Sequence, residues 1–276
     1  MPVPQFLNIL KSGLLKSCSN QAKVIISPKV NSIDPKAFSE CTNLSSISVD
    51  ENSQNFISVD GILFSKDMTT LIRFPPNSPF SSYAIPSSVT TIFDYAFSDC
   101  LHLNSLNLPP KLININNCAF QGSSIIEFIS ANASFEVIDG VLFSKGCKTL
   151  IHYPSKIENP FYSIPSTVEE ISEAAFFQSS LLSIHIPASV KSIGKRAFSH
   201  CNHISTISVD PNNPNFTVCD GILFTKTLDT LVYFPPKVYL SLYTIPSTVV
   251  SIADCAFMNN SHLKSIAIPN NVTTIG

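Results

Sequence analysis

His200-Cys201-Asn202-His203 brings together the residue types that bind transition metals, and eight cysteines along the chain could act as nucleophiles, metal ligands or disulfide partners. Their spacing points elsewhere. Cys41, Cys100 and Cys201 recur at one position after an Ala-Phe pair, and Cys118 and Cys255 recur directly before one. No Cys-x-x-Cys occurs, so these thiols read as small core hydrophobes, the role in which unpaired cysteine is most often buried. Cys147 and Cys219 fall outside the pattern and are expected to be accessible. His203 shares a column with His102 and His262, read as solvated, whereas Cys201 belongs to the buried column; the two point apart, and no metal or other cofactor is expected. Glu169-Glu170 lies in a strand-like stretch whose alternation sends the two carboxylates to opposite faces, against acid–base pairing. Gly-x-Ser-x-Gly, phosphate-loop and His-Glu-x-x-His motifs are absent, and no enzyme is expected.

What positions these residues is a repeat. Ala-Phe pairs end at Phe38, Phe97, Phe120, Phe176, Phe198 and Phe257. The short steps, Phe97 to Phe120 and Phe176 to Phe198, define the basic unit, and each of the three long steps adds an insertion of similar character. Such periodicity means a solenoid, in which each unit buries its apolar face against its neighbours. In the unit from Ile85 to Pro109, Val89 to Ile92 and Leu103 to Leu108 read as short strands, the second alternating Leu106 and Leu108 with Ser105 and Asn107. Between them Asp94 to Cys100 reads as a tight helical turn whose Ala96 and Phe97 fill the core, and the Pro after each strand ends it. The insertions, about residues 50–80, 130–160 and 210–242, carry Asp60-Gly61, Asp139-Gly140 and Asp220-Gly221 between β-prone runs, a hairpin signal, and each is expected to form a small antiparallel meander.

Residues 1–24 read as an N-terminal capping segment, in which Phe6, Leu7, Ile9, Leu10, Leu14 and Leu15 fit a short amphipathic helix. Asn8 and Lys11 break its apolar run, so it does not make a convincing signal peptide. Residues 25–276 read as a single solenoid, and Ile268 to Gly276 opens a unit that stops before its Ala-Phe, so the array reads as incomplete there or covered by a partner. Net charge is −2 without a basic cluster, which argues against nucleic acid as a partner. The longest apolar runs are far below the roughly 20 residues of a membrane span, so no membrane insertion by this segment is expected.

The run Ile85-Pro86, Val89, Ile92, Ala96-Phe97, Cys100 and Leu103, repeated in phase from about residue 25 to the end, resembles the leucine-rich repeats of the BspA-like (treponemal-type) family. Ser123, Ser179 and Asn260 depart from the pattern at the cysteine position, and the unit around Phe176 is one residue short. The fold expected is therefore a β-rich leucine-rich-repeat solenoid with short strands, tight helical turns and inserted hairpins. The resemblance also implies a cell-surface or secreted protein that adheres to host cells, matrix proteins or other microbes.

With chemistry set aside, the exposed strand face is the candidate site. Alternation gives one column of Ser46, Ser105, Phe128, Ser183, Thr206 and Ser265, and another of Ser48, Asn107, Ser130, His185, Ser208 and Ala267. Stacked about 4.8 Å apart, they would form a nearly uncharged, hydroxyl-rich strip with Phe128 and His185 as anchors for a protein or glycan ligand; the other reading is that small polar residues simply solvate the sheet. An intracellular protein-interaction scaffold is the alternative, favoured by the many thiols and the lack of a clear signal peptide. Asn-x-Ser/Thr sequons at Asn43, Asn132, Asn215, Asn259 and Asn271 would permit glycosylation on a secretory route.

Overall fold

The structure, a computed structural model, describes residues 7–15, 20, 22–39 and 41–276. The chain divides into two compact units, Met1–Val137 and Ile138–Gly276. Each is a β-solenoid. A rung of the repeat contributes one strand to each of two sheets, and successive rungs pair in parallel.

In unit one, Ser82–Ala84, Ser105–Leu108 and Glu127–Ser130 form one parallel sheet, with Lys23–Ile26 and Ser46–Val49 pairing separately. The opposite sheet runs Phe56–Val59, Ile62–Ser65, Thr70–Arg73, Thr91–Ile92, Asn114–Ile115. In unit two the corresponding sheets are Phe161–Ser163, Ser183–Ile186, Thr206–Val209 and Leu242–Thr244, Ser265–Ala267 on one side. On the other side lie Val141–Ser144, Thr149–His152, Glu170–Ile171, Ser192–Ile193 and, separately, Phe216–Cys219, Ile222–Thr225, Thr230–Tyr233, Ser251–Ile252, Thr274–Ile275. The alternation in Ser105–Leu108 has its expected effect: Leu106 and Leu108 are buried, Ser105 is half-buried and Asn107 exposed.

The corners depart from expectation. Residues 94–99 form consecutive turns rather than a helical turn, because Tyr95 and Asp99 are left-handed (φ 57° and 59°). Cys118, Ala174, Gln178, Arg196, His200, Cys255 and Asn259 repeat that conformation. The reason is a backbone account that a helix could not balance. Ala96 N and Ser98 N bond within the turn, to Phe93 O and Tyr95 O, while Tyr95, Phe97 and Asp99 N–H groups donate to Asn117, Ala119 and Gln121 O of the next rung. Every second amide is thereby freed for stacking, and buried amides find partners.

Stacking aligns the Ala-Phe phenylalanines. Phe97 lies between Phe74 (5.4 Å) and Phe120 (5.7 Å), and Phe176 between Tyr153 (5.3 Å) and Phe198 (5.5 Å), all within the offset-stacked range. The small Ala before each Phe lets the corners approach to one strand spacing.

The insertions form the expected meanders. Phe56–Val59 pairs antiparallel with Ile62–Ser65, which pairs antiparallel with Thr70–Arg73 through a register shift at Leu63/Phe64. Phe216–Cys219, Ile222–Thr225 and Thr230–Tyr233 repeat this. Asp60 and Gly61 both have positive φ (52° and 79°), the type I′ requirement, and a Cβ at Gly61 would come within 2.7 Å of Ser46 Oγ. The turn sits that close because Gly61 O accepts from Ile47 N at 2.8 Å, so the hairpin occupies the edge of Ser46–Val49 where another rung would stack.

At the N-terminus, Ile9–Leu10 is a strand paired in parallel with Ser32–Ile33 and is followed by a turn, so residues 7–15 do not form the expected helix; residues 1–6 and 16–19 of that expectation lie outside the described residues. Leu10 bonds through its carbonyl to Asp34 N, and pairing with the first rung satisfies backbone groups that a helix laid across it would leave open.

Arg73, His152 and Tyr233 occupy equivalent positions before Phe74, Tyr153 and Phe234, and all three are buried. Arg73 Nη1 donates to Tyr95 O and, at 2.6 Å, to Ser98 Oγ. Burial pushes the His152 pKa down to about 3. Its unfolded value is about 6.5, so between those values the unfolded chain binds the extra proton. The stability carried by neutral His152 is complete above a pH of about 6.5 and is lost as pH falls through the window toward 3. The expected result is a thermal midpoint that drops more steeply on acidification for the parent chain than for His152→Leu; parallel pH profiles would contradict this.

Candidate functional site

The strand face that the sequence marks out does not form one strip. In unit one, Ser46 and Ser48 lie beside Lys23 and Ile25, on a two-stranded sheet closed by the Asp60-Gly61 turn. Ser105 lies between Ser82 and Glu127, and Asn107 between Ala84 and Ile129. In unit two, Ser183 lies between Phe161 and Thr206, and His185 between Ser163 and Ser208. Ser265 pairs with Leu242 and Ala267 with Thr244 on a further sheet.

Phe128 is not on this face. It is in register with Leu106, only 5 % exposed, and packs edge-on against Phe120 at 5.2 Å. Ser130 falls opposite Leu108, and its hydroxyl accepts from Asn132 N. The cause is a shortened link: the stretch from Phe120 to Phe128 is one position shorter than that from Phe97 to Leu106, and the stretch from Phe176 to Ile184 is shortened in the same way. In a strand a slip of one exchanges the two faces. The exposed positions are therefore Glu127 and Ile129.

The reading from sequence also missed the strands Ser82–Ala84, Phe161–Ser163 and Leu242–Thr244. Their signal was a repeated Tyr-x-Ile-Pro, at Tyr83, Tyr162 and Tyr243. Each Tyr packs inward, on Phe74 (5.3 Å), Tyr153 (4.8 Å) and Phe234 (5.2 Å). Burial, with Asp60 or Asp220 of the Asp-Gly turn nearby, pushes the Tyr83 and Tyr243 pKa values up to about 12. Alternation then turns the preceding residue outward, and in unit two those residues are Phe161 and Leu242, each 63 % exposed.

The best-formed patch of the face is thus in unit two. Phe161, Ser183 and Thr206 form one column, and Ser163, His185 and Ser208 form the next, with His185 Nδ1 3.0 Å from Ser208 Oγ. Leu182, 42 % exposed, adds apolar surface beside Phe161. The patch contains no Asp, Glu, Lys or Arg. It can stack a flat or apolar group on Phe161 and hydrogen-bond hydroxyl, amide or carbonyl groups along a ladder of about 4.8 Å spacing.

The residues first considered for chemistry diverge. Cys201 is buried, with Sγ 2.9 Å from Phe176 O and burial pushing its pKa up to about 11; His200 packs tilted against the Phe177 ring at 4.9 Å, and His203 is exposed. Burial pushes Cys100 up to about 12. Cys147, expected to be accessible, is 6 % exposed, because the turn at Lys145–Cys147 folds it inward against the core of unit two; Cys219 is half-buried. Glu169 is held well below the usual carboxylate range by Lys148 and Lys191 from the rungs on either side. Among the sequons, Asn132 is buried with Nδ2 donating to Pro109, Pro110 and Leu112 carbonyls, and Asn271 donates to Ser247 and Val249 O.

Residues 1–78, 73–160, 152–238 and 232–276 match the family model of the BspA type leucine rich repeat region, which has six copies here. Among solved structures, the chain is similar to a leucine rich cell surface protein from Faecalibacterium prausnitzii A2-165 (21 % identity, 96 % of this chain and 86 % of that one, TM-score 0.49). It is also similar to a leucine-rich repeat protein from Eubacterium ventriosum ATCC 27560 (21 %, 100 % and 55 %, TM-score 0.44) and to the pneumococcal vaccine antigen PcpA (20 %, 100 % and 52 %, TM-score 0.42). The chain spans about half the length of these last two. No curated protein matches it.

Proposed function

Because this chain belongs to the BspA-type leucine-rich repeat family, whose stacked repeats present surfaces for binding, we propose that it is a non-enzymatic binding protein of the cell surface. Its unit-two strand face takes a protein or glycan ligand in adhesion. The observation that carries the site is Phe161, an aromatic ring 63 % exposed on an otherwise hydroxyl-bearing sheet. A large apolar group held out in water costs solvation unless something covers it, and interface energy concentrates in such anchors. The cell-surface assignment follows from the family and is tested separately, by staining intact and permeabilised source cells with an antibody to the Asp-Gly hairpins; signal only after permeabilisation would sink it.

Phe161→Ala combined with His185→Ala is expected to weaken binding to the ligand found on a glycan and matrix-protein array by about 2 kcal/mol, roughly thirtyfold. Both side chains point outward, so the circular dichroism melt should not move. Unchanged affinity would remove this face from the reading and leave the family assignment standing. The free thiols Cys100, Cys201, Cys219 and Cys255 favour a second reading, a protein-interaction scaffold in a reducing compartment.

A further inference from the structure

Each rung supplies hydrogen-bonding groups to the next. In unit two Ile171 O accepts from Gly194 N at 2.8 Å, and Phe176 N–H donates to Ala197 O at 2.9 Å. The same pair recurs one rung on as Ile193 O and Phe198 N–H, and among the described residues neither has a hydrogen-bond partner. The sheet ends at Ser192–Ile193, because the chain then departs through Thr206–Val209 into the meander Phe216–Tyr233 instead of laying down another rung. Phe198 is 4 % exposed, and a buried N–H without an acceptor is rare.

Alongside this edge runs a groove of about 290 Å³, with Ile193, Phe198 and Ser199 on one wall and Val232, Ser251 and Ala253 on the other. Ser199 is 3 % exposed and its hydroxyl also lacks a partner. Lys195 and Asp254 meet 3.5 Å apart, linking the two walls, while Arg196 is paired with Glu173 at 2.6 Å, so the charges of the groove balance.

We propose that this groove binds a short segment of another polypeptide, which pairs with the open edge as the rung the chain omits. Unpaired sheet edges are templates for strand addition, with main-chain hydrogen bonds supplying affinity. The register follows from the repeat: the segment donates one N–H to Ile193 O and, three positions later, offers a carbonyl to Phe198 N–H, as Gly194 and Ala197 do toward the rung before them. The residue bearing that carbonyl is small, since the chain's own rungs place Ala96, Ala119, Ala175, Ala197 and Ala256 there. The balanced charges favour a segment without net charge at its centre. This site is separate from the Phe161 face and stands or falls without it.

The test is titration of ¹⁵N-labelled chain with a synthetic peptide of the sequence 189–197, which carries a strand and the small residue of a corner and stops before Phe198, since Tyr233 already packs on the chain's own Phe198 ring at 5.1 Å. The expected result is a saturable shift of the Phe198 amide and hydrogen exchange there slowed about tenfold or more. Ser251→Trp, which fills the groove, should abolish both, Ser251→Thr should keep both, and the Phe97 amide in unit one should report an intact fold throughout. No change at Phe198 in millimolar peptide, equal binding of a scrambled peptide, persistence of binding in Ser251→Trp, or a Phe198 amide already strongly protected in the free chain would each overturn the proposal.

Discussion

Phe97→Ala is expected to cost about 4 kcal/mol of unfolding free energy, the range for removing a fully buried aromatic side chain. Phe97 has no exposed surface and lies in a column between Phe74 and Phe120, so its loss leaves a void with an aromatic ring on both sides. Neither ring can move in to fill it. The Phe97 amide and its neighbours Tyr95 and Asp99 are hydrogen-bonded to the next rung, which pins the corners at their spacing. The comparison is Phe257→Ala, because Phe257 is only half-buried and has a ring contact on one side, with Phe234 at 5.2 Å. Urea unfolding followed by circular dichroism should show the Phe257→Ala cost at about half the Phe97→Ala cost or less. Equal costs would mean that the stacked column does not carry the stability assigned to it.

Asn213→Ala is expected to cost about 3 kcal/mol, an effect out of proportion to the size of the side chain. Asn213 is 1 % exposed. Its Nδ2 donates to Pro187 O (2.7 Å) and Val190 O (3.1 Å), and its Oδ1 accepts from Asn215 N and Phe216 N, both at 2.8 Å. One amide thus satisfies four backbone groups and ties the start of the meander to the rung before it. Removing it leaves the Asn215 and Phe216 N–H groups without their acceptor away from water, at about 1 to 2 kcal/mol each before relaxation, and takes one donor each from Pro187 O and Val190 O, which keep Val190 N (3.4 Å) and Asn215 Nδ2 (3.2 Å). Asn213→Asp should recover little, since a carboxylate keeps the two acceptor bonds but faces the Pro187 and Val190 carbonyls with no donor. Asn212→Ala, next door and exposed, should stay within about 0.5 kcal/mol. A small effect at Asn213, comparable to Asn212, would overturn this account. Asn132 makes the same kind of bonds at the start of the preceding insertion, to Pro109 and Leu112 O, and Ser53 Oγ takes a reduced form of the role by accepting from Phe56 N.

The repeat made most of the fold legible, because in a solenoid the same local physics is written several times. A single Ala-Phe or Asp-Gly is ambiguous; six of the first and three of the second, in phase, fix unit, insertion and hairpin. Where the reading slipped, it did so at deviations from phase. The shortened link in the Phe120 unit moved Phe128 from the outer to the inner face, and no local preference of Phe resists that, since an aromatic suits either side of a strand. The corner conformation was hidden for another reason. Left-handed Tyr95, Cys118, Ala174 and Arg196 have no common side-chain signature, and only the need to send alternate amides to the next rung selects that backbone.

By itself, then, the sequence determined the repeat, its two strands per unit, the alternation that buries Leu106 and Leu108, and the family, all consequences of two periods, the alternation along a strand and the recurrence of the Ala-Phe unit. Only the tertiary structure decided which faces are continuous. The Asp60-Gly61 turn binds Ile47 N through Gly61 O and closes one sheet, while the meander after Thr206–Val209 leaves Ile193 O and Phe198 N–H without a rung. Both are matters of which strand edge meets which. Edge pairing is a backbone interaction between segments distant in the chain, so side-chain patterns mark the strands but not their neighbours across an insertion.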